Sequence, residues 1–566
     1  MDPGAPPVAP PEFQVYNSYA IDPQYARGFT AFWVSLVGVA VLISLPGLLR
    51  SIRRGRVYTG VGIWEDLHGQ SYAPVSAEEK LPPRQLTNAT RPIYDYVRSK
   101  GYLLAPGLNL DIAQITVVAL YYGALLFCVL HKIDLKQYPN RAGFMSLAQL
   151  PVIFVFASKN GILSVLLGRG YEKLNFLHRW AGRGLLLSAT IHGSLWIRNH
   201  LLEAPYLMKG LKEGQGMAAY GTLCLIVLTS LSPIRRAAYQ VFFFLHVIGY
   251  VGFFIIICYH TPYAVPWIFP PIAFYAFDLL FRMIRFRIKD VTLVAADQQM
   301  TLIHVHDCDG GWTAGQHVRV RAFFGGRVFE SHPLTICTAP PATSCAEGSR
   351  GLLLGARVQG PWTRALNALA QEQEKGVQIS VMLDGPYGGC TIDLADYENV
   401  LFVAGGSGVT FTLGLLDDLV GRVVKHGRAK GERTRRVEFA WCIRSFGCIF
   451  WFAPLFLDIA NKAKGSSIDV HFSIYVTCLC NPEAVPDIPG FDVTMDKPSM
   501  RSHMALFLNG SDKEAGNLAA TGGGLGVAVC GPNDLIREGQ NTIATLSPAQ
   551  VKRLGGVSLH TEHFSL

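Results

Sequence analysis

"LHRWAGRGLLLSATIH", Leu177 to His192, places a histidine near each end of a largely apolar stretch, and "LHVIGYVGFFIIICYH", Leu245 to His260, repeats the arrangement. His178 to His192 and His246 to His260 are both intervals of 14 residues. In an α-helix, 14 residues fall ~40° short of four turns, so the two members of a pair share one face and stand ~21 Å apart along the axis. That distance is most of the thickness of a bilayer's hydrocarbon core. Each helix therefore offers one imidazole near each leaflet.

The surrounding composition agrees with a bilayer setting. Half of the 566 residues are hydrophobic and only 16% are charged, and most of the charged residues follow position 285. A membrane half followed by a soluble half is the expected organisation. Apolar runs near the ~20 residues a spanning helix requires lie at about 30–49, 112–131, 143–167, 176–197, 217–234, 239–260 and 265–284, giving seven candidate spans. Basic clusters in "RSIRRGR" (50–56), "SPIRRAA" (232–238) and "FRMIRFRIK" (281–289) all face the cytosol if the N-terminus is outside and the C-terminus inside. Those clusters account for much of the +9 formal charge, which therefore does not point to nucleic acid. The sequon Asn88-Ala89-Thr90 then falls on the cytosolic side and is expected to carry no glycan. The Pro-rich N-terminus, "MDPGAPPVAPPEFQVYNSYA", lacks the basic region and cleavage pattern of a signal peptide. Twelve cysteines are scattered without a metal-ligand rhythm, and Cys478 and Cys480 form a C-x-C rather than a C-x-x-C.

After about residue 286 the texture becomes short alternating runs ("VTLVAADQQMTLIHVHD", "QHVRVRAFF", "GLLLGARVQ") broken by Gly and Pro, as in a small antiparallel barrel. From about 396 the apolar strand "NVLFVAGG" enters a Gly-rich turn and a helical stretch, and "RVEFAW", "IDVHFSIYVT" and "GVAVCG" supply further strands, the pattern of a parallel α/β sheet. The expected divisions are a short outer tail (1–29), a seven-helix transmembrane domain (30–285), a β-barrel domain (286–395) and an α/β nucleotide-binding domain (396–566). The basic stretch Arg422 to Arg436 reads as a solvated loop.

The fourth and sixth candidate spans run in the same direction, so His178 should lie level with His246 and His192 level with His260. Facing imidazoles are what a bis-histidine haem requires, and two such haems would make an electron path across the lipid. Single intramembrane histidines commonly serve as interhelical hydrogen bonders, but two pairs at one spacing favour metal ligation. Arg179 and Arg183 sit where they could balance haem propionates or act as interfacial anchors.

With these features the chain resembles the fungal ferric-chelate reductases, relatives of the NADPH oxidases. The marks are "AQLPVIFVFASKNGILSVLLG" (148–168), "YEKLNFLHRWAGR" (171–183), the second histidine pair and several soluble motifs. The resemblance implies a ferredoxin-reductase-like soluble half holding FAD and NADPH, and two b-type haems in the membrane. "SHPLTICT" contains His332, Pro333, Leu334 and Thr335, similar to a flavin motif in which the Thr hydroxyl lies against the isoalloxazine edge. "RVQGPWT" supplies Arg357, Gly360, Trp362 and Thr363, with Arg357 and the Gly360 turn near the pyrophosphate of FAD. In "VAGGSGVTFTL", Gly405, Gly406, Ser407, Gly408 and Thr410 resemble the nicotinamide-cofactor loop at a helix N-terminus, with Phe411 where many such proteins carry proline. "FAWCIRS" supplies Trp441 and Arg444, whose guanidinium suits a 2′-phosphate and hence NADPH. "VCGPND" supplies Cys530, Gly531 and Pro532, with Cys530 beside the nicotinamide and not a nucleophile. The chain ends "HTEHFSL", so Leu566 stands where the family commonly has an aromatic, with Phe564 nearby.

The implied activity is electron transfer from cytosolic NADPH through FAD and two haems to ferric or cupric chelates on the far side of the membrane, with the plasma membrane expected ahead of a vacuolar one. A superoxide-forming oxidase would use the same relay, because bis-histidine iron has no open position for either acceptor. A seven-span receptor or transporter would leave the soluble motifs unused. The outer loops at 132–141 and 198–216 hold Lys132, Lys136, Arg141, Arg198, Lys209 and Lys212 alongside Glu203 and Glu213, a mixture that suits anionic chelates or plain solvation.

Overall fold

The computed structural model describes residues 16–53, 60–65, 90–105, 107–108, 110–200, 210–346, 351–428, 431–478, 491–509 and 522–563. Asn88 of the sequon, Glu203, Lys209, Cys480, Phe564 and Leu566 lie outside them. The chain forms two compact units, one of membrane-type helices up to Leu280 and one from Phe281 onward that also takes in Gly47–Ile115 and Gly168–Gly170.

In the helical unit the elements are α1 (Ser18–Arg53), α2 (Thr90–Lys100, which belongs with the other unit), α3 (Ile112–Leu130), α4 (Asn140–Ala148), α5 (Leu150–Val155), α6 (Ile162–Leu167), α7 (Tyr171–Asn199), α8 (Leu211–Thr229), α9 (Ser232–Ala237), α10 (Tyr239–His260) and α11 (Val265–Arg285). Among the described residues, four helices are long and apolar enough to cross a membrane: α1, α3, α10 and the stretch Pro262–Arg285 that contains α11. The expected seven spans are therefore not reproduced as seven such helices. Helices α7 and α8 are long, but Arg179, Arg183, Lys212 and Glu213 lower their apolar content. The run 143–167 is broken into α4, α5 and α6. Pro151 lacks the N–H a continuous helix would use, and Asn160 leaves the helix to bond Asp278 on α11 through its backbone N (2.7 Å) and its side chain (3.0 Å). Helices α4 and α5 are almost wholly buried. Their apolar character reflects a protein core rather than a lipid face.

The soluble unit begins with six strands, β1 (Arg287–Ala295), β2 (Met300–Val305), β3 (Gln316–Ala322), β4 (His332–Thr335), β5 (Leu352–Arg357) and β6 (Val377–Gly388), all paired antiparallel in the order β4-β3-β6-β1-β2-β5. An Ile336–Leu354 bridge ties the two edges together, so the sheet is a nearly closed barrel. Strand β3 alternates buried and half-buried residues, the period of two that a barrel wall imposes. Helix α12 (Pro361–Ala370) packs on β1 and β2.

The second sheet is parallel throughout, in the order β10-β9-β8-β7-β11-β12, from β7 (Asn399–Gly405), β8 (Arg436–Ile443), β9 (Asp469–Val476), β10 (Phe491–Thr494), β11 (Leu525–Gly531) and β12 (Val557–His563). Strand β11 is buried along its whole length, as a central parallel strand covered on both faces must be. Among the described residues, five helices complete this half: α13 (Val409–His426), α14 (Ala453–Lys464), α15 (Met500–Asn509), α16 (Asn533–Ala544) and α17 (Pro548–Leu554). Strand order reverses at β7, between β8 on one side and β11 on the other.

The segment between α1 and α3 clips onto both soluble halves. Ile63 enters the barrel core and Trp64 bridges Gly310. Helix α2 docks on α17 and β12, with Lys100 Nζ donating to Ala544 O (2.6 Å) and Leu546 O (2.9 Å).

Candidate functional site

The four histidines stand on α7 and α10, and α8 packs against both of those helices. The His178 and His246 rings have centroids 6.1 Å apart and planes inclined at 62°. A metal bound by imidazole nitrogen lies ~2.0 Å from it and a ring centre about 1 Å further back, so two rings on opposite sides of one ion stand about 6 Å apart. The observed pair has that spacing.

In each ring Nδ1 is already engaged. His178 Nδ1 lies 3.0 Å from Ile153 O, His192 Nδ1 3.0 Å from Pro139 O and His260 Nδ1 2.9 Å from Lys212 O. A carbonyl only accepts, so each Nδ1 carries the proton. His246 Nδ1 meets Ser230 Oγ at 3.0 Å, and that hydroxyl gives its own hydrogen to Ile226 O at 2.6 Å, so Nδ1 donates here as well. All four Nε2 lone pairs are thereby left for a metal, with the outer partner that ligating histidines usually have. Glycines make room beside two rings: a methyl at Gly143 would lie 3.1 Å from His192 Nδ1, and one at Gly216 would lie 2.8 Å from His260 Cε1. The residues fit haem iron held between two imidazoles. Arg179 and Arg183 are exposed, and Arg183 lies over the Trp180 ring at 4.6 Å.

In the barrel, His332 to Thr335 form β4. The His332 ring stacks on Trp362 (4.2 Å), and burial pushes its imidazole below the usual range, so its 3.2 Å contact with Glu330 is a hydrogen bond from a neutral ring. Trp362 is itself buried, and its indole Nε1 finds no acceptor among the described residues. An orphaned buried donor beside the Thr335 strand is what a ligand acceptor would complete. Thr363 is committed elsewhere: its Oγ1 accepts from the Gln359 and Gly360 amides at 3.0 Å each and caps α12.

The expected nucleotide residues gather at the carboxyl ends of β7 and β11, beside the point where strand order reverses, which is where open α/β sheets bind ligands. Gly405 and Gly531 approach so closely that a methyl on Gly405 would lie 2.7 Å from Pro532 Cδ. Gly406 adopts φ +56°, a left-handed conformation natural to glycine, and a methyl there would meet Arg357 Nη1 at 2.9 Å. Arg357 of the barrel thus reaches the Gly-rich turn. Trp441 is fully buried, and its Nε1 donates to Gly406 O at 2.9 Å, so it props the turn from behind. Thr410 Oγ1 donates to Ser407 O at 3.0 Å. Cys530 is buried, whereas Arg444 is exposed just past β8. Phe411 is buried and stacks on His560 at 5.2 Å.

Two placements read from the sequence are corrected. Arg141, expected in an outer loop that suits anionic chelates or plain solvation, is fully buried and ion-paired to Asp22 at 2.6 Å. Arg422, expected in a solvated loop, lies inside α13 and is nearly buried among Asp393, Asp418 and Glu432. In both cases a carboxylate partner offsets the cost of removing a guanidinium from water.

Residues 142–257 match the family profile described as ferric reductase like transmembrane component, residues 284–391 an FAD-binding domain, and residues 397–487 the ferric reductase NAD binding domain. The chain is 28% identical over 356 residues to a probable cell surface ferric reductase, kap2, of Aspergillus oryzae, covering 59% of this chain and 47% of that protein. It is 25% identical over 461 residues to ferric reductase transmembrane component 1 of Schizosaccharomyces pombe, covering 73% of this chain and 77% of that one. A third relative, ferric/cupric reductase transmembrane component 7 of Saccharomyces cerevisiae, is 26% identical over 63% of this chain and 58% of its own. The chain spans about half the length of several of the curated relatives it matches. Among solved structures, a ferredoxin NADP+ reductase from Neisseria gonorrhoeae overlaps 49% of this chain and 98% of its own at 15% identity and a TM-score of 0.34. Three matched domains in series, on a helical membrane region, an antiparallel barrel and a parallel α/β sheet, place this multi-pass membrane protein in the ferric reductase family.

Proposed function

We propose that the chain is an NADPH-dependent ferric-chelate reductase that moves electrons across the plasma membrane through FAD and two b-type haems. The observation that carries this reading is the His178–His246 pair, 6.1 Å apart with both Nδ1 atoms engaged. Cupric chelates are a second acceptor class, since one relative bears the name ferric/cupric reductase.

Haem supplies single-electron iron chemistry and FAD converts one hydride into two separate electrons, so one NADPH and two ferric ions give NADP+, a proton and two ferrous ions. The chain's residues hold and orient these groups. His178 and His246 would hold one haem iron, and His192 and His260 the other. Thr335 would lie against the flavin edge, while Arg357 and the Gly360 turn would bind its pyrophosphate. The turn Gly405 to Gly408 and the N-terminus of α13 receive the dinucleotide pyrophosphate, Arg444 binds the 2′-phosphate, and Cys530 borders the nicotinamide as a contact. With the N-terminus outside and the soluble domains in the cytosol, an inside-negative potential of ~100 mV favours each outward electron by ~2.3 kcal/mol.

The test is reduction of an impermeant ferric chelate by whole cells without oxygen. Activity that persists supports direct reduction; activity that disappears makes superoxide the carrier and the protein an oxidase. In the purified protein, His192→Ala should remove one haem while leaving flavin reduction by NADPH intact.

A further inference from the structure

The carbonyls that orient the two α7 histidines come from one stretch of chain. Pro139 O holds His192 and Ile153 O holds His178. Pro139 and Ile153 are 14 residues apart, and so are His178 and His192. The two segments run antiparallel, so each step along one is matched by a step back along the other. Equal counts of residues at ~1.5 Å rise give equal lengths, and two partners at the ends of one strut meet two rings on the facing helix. Such matching holds only in one register.

Apolar helix faces alone fix register weakly, and polar side chains between helices do it better. Gln149 occupies that place. It lies at the junction of α4 and α5, in the right-handed helical conformation, and is fully buried. Its Nε2 donates to Met145 O (3.1 Å) and to Ser188 Oγ of α7 (3.3 Å), and its Oε1 accepts from Tyr121 Oη of α3 (3.0 Å). Opposite it stands Gly184 of α7, where a methyl would collide with Gln149 Oε1 and lie 3.3 Å from Leu125 Cδ2. Gly184 and Ser188 both fall between His178 and His192 in the sequence of α7. The side chain is a peg in a hole placed between the two histidine levels.

We propose that Gln149 is a positioning residue for both α7 histidines, setting the register between the Pro139–Ile153 strut and α7 so that one polar contact fixes the Nδ1–H orientation at two metal centres. The inference rests on the haem reading of the four histidines. A core glutamine with only a stability role would affect the fold without touching the metals.

The experiment uses the full-length haem-loaded protein in detergent, with the low-spin electron paramagnetic resonance signals of both haems, their absorbance bands and the haem-to-protein ratio as readouts. Gln149→Met keeps length and removes the hydrogen bonds; both low-spin signals should shift while both haems are retained. Tyr121→Phe removes a bond to the same oxygen without touching α7, and should lower thermal stability with the signals unmoved. Gly184→Ala should reproduce the Gln149→Met shifts, and adding it to Gln149→Ala, where the methyl has room, should change nothing further. If Gly184→Ala does not accumulate, the Gln149→Met result and the double variant decide. Unmoved signals in Gln149→Met, or a shift at only one centre, would overturn the proposal. A wild-type protein without two bis-imidazole signals would instead overturn the haem reading itself.

Discussion

Ser344 and Asp417 are joined across the boundary between the barrel and the α/β domain, Ser344 Oγ donating to Asp417 Oδ2 at 2.7 Å. The same carboxylate accepts the amides of Ala339 (2.8 Å) and Cys345 (2.5 Å). Gly414 and Gly421 flank it on one face of α13, and each lets the backbone of the 336–344 loop approach where a methyl would collide. The loop leaves β4, and the helix begins at the Gly-rich turn, so this face couples the expected flavin strand to the expected nucleotide turn. Burial pushes the Asp417 carboxyl up to about 6, which leaves it mainly ionised at neutral pH and able to accept all three donors. Asp417→Ala strands those donors at ~1–3 kcal/mol for each group left unsatisfied. The expected result is a lower unfolding temperature of the full chain and slower flavin reduction by NADPH in single-turnover absorbance.

His471 predicts a pH dependence on the alkaline side. Its ring is hydrogen-bonded to Glu438 at 3.1 Å and to Asp492 at 2.9 Å, and these carboxylates, Glu438 first, hold its pKa up to about 9 against the cost of burial. His503 also faces Glu438, at 3.9 Å. The folded pKa lies above the ordinary ~6.5, so the folded state binds the proton more tightly. This contribution is complete below about pH 6.5 and is lost as pH rises through about 9. Thermal unfolding followed from pH 6 to 10 should show a decline that His471→Gln flattens.

Arg141 and Asp22 make a sharper test of membrane-unit stability. Both side chains are fully buried, Arg141 Nη1 also donates to Cys128 O at 2.8 Å, and the guanidinium lies 3.5 Å from the Tyr25 ring centroid. Removing one partner of a buried pair costs ~3–5 kcal/mol, while replacing both by apolar groups is often neutral. Asp22→Leu alone should sharply reduce the amount of protein that survives heating in detergent. Asp22→Leu with Arg141→Met should restore most of it.

The parts of this molecule legible in the sequence are those governed by short-range periodicity. The 14-residue histidine spacing follows from helix geometry. The strands before "HPLT" and "GGSG" follow from alternation and from continuous apolar runs. What failed were features whose partners lie far along the chain. Arg141 looks solvated until Asp22, 119 residues away, is placed beside it. The run 143–167 looks like one span until Asn160 is seen bonded to Asp278, 118 residues on. Ile63 carried no pattern at all, yet it completes the barrel core. Gln149 gave no local signal, because its role exists only in the antiparallel match with α7.

Trp441 and Arg444 separate two kinds of contribution to nucleotide binding. Trp441 acts from behind the turn, through its bond to Gly406 O, and stacks on Phe456 at 5.6 Å. Trp441→Phe keeps an aromatic in the core and removes that one bond, which is worth ~1 kcal/mol, or about a fivefold change in an equilibrium constant. KM should rise by that factor for NADPH and NADH alike, because in the proposed site the turn would meet the pyrophosphate that both share. Arg444 is exposed, and in the proposed site its guanidinium would distinguish only the 2′-phosphate. Arg444→Gln should therefore raise KM for NADPH about tenfold, the equivalent of ~1.4 kcal/mol, and leave NADH unchanged. Steady-state flavin reduction with each nucleotide measures both effects. An equal loss for the two nucleotides in Arg444→Gln would remove Arg444 from the 2′-phosphate site and leave the choice of NADPH to another residue.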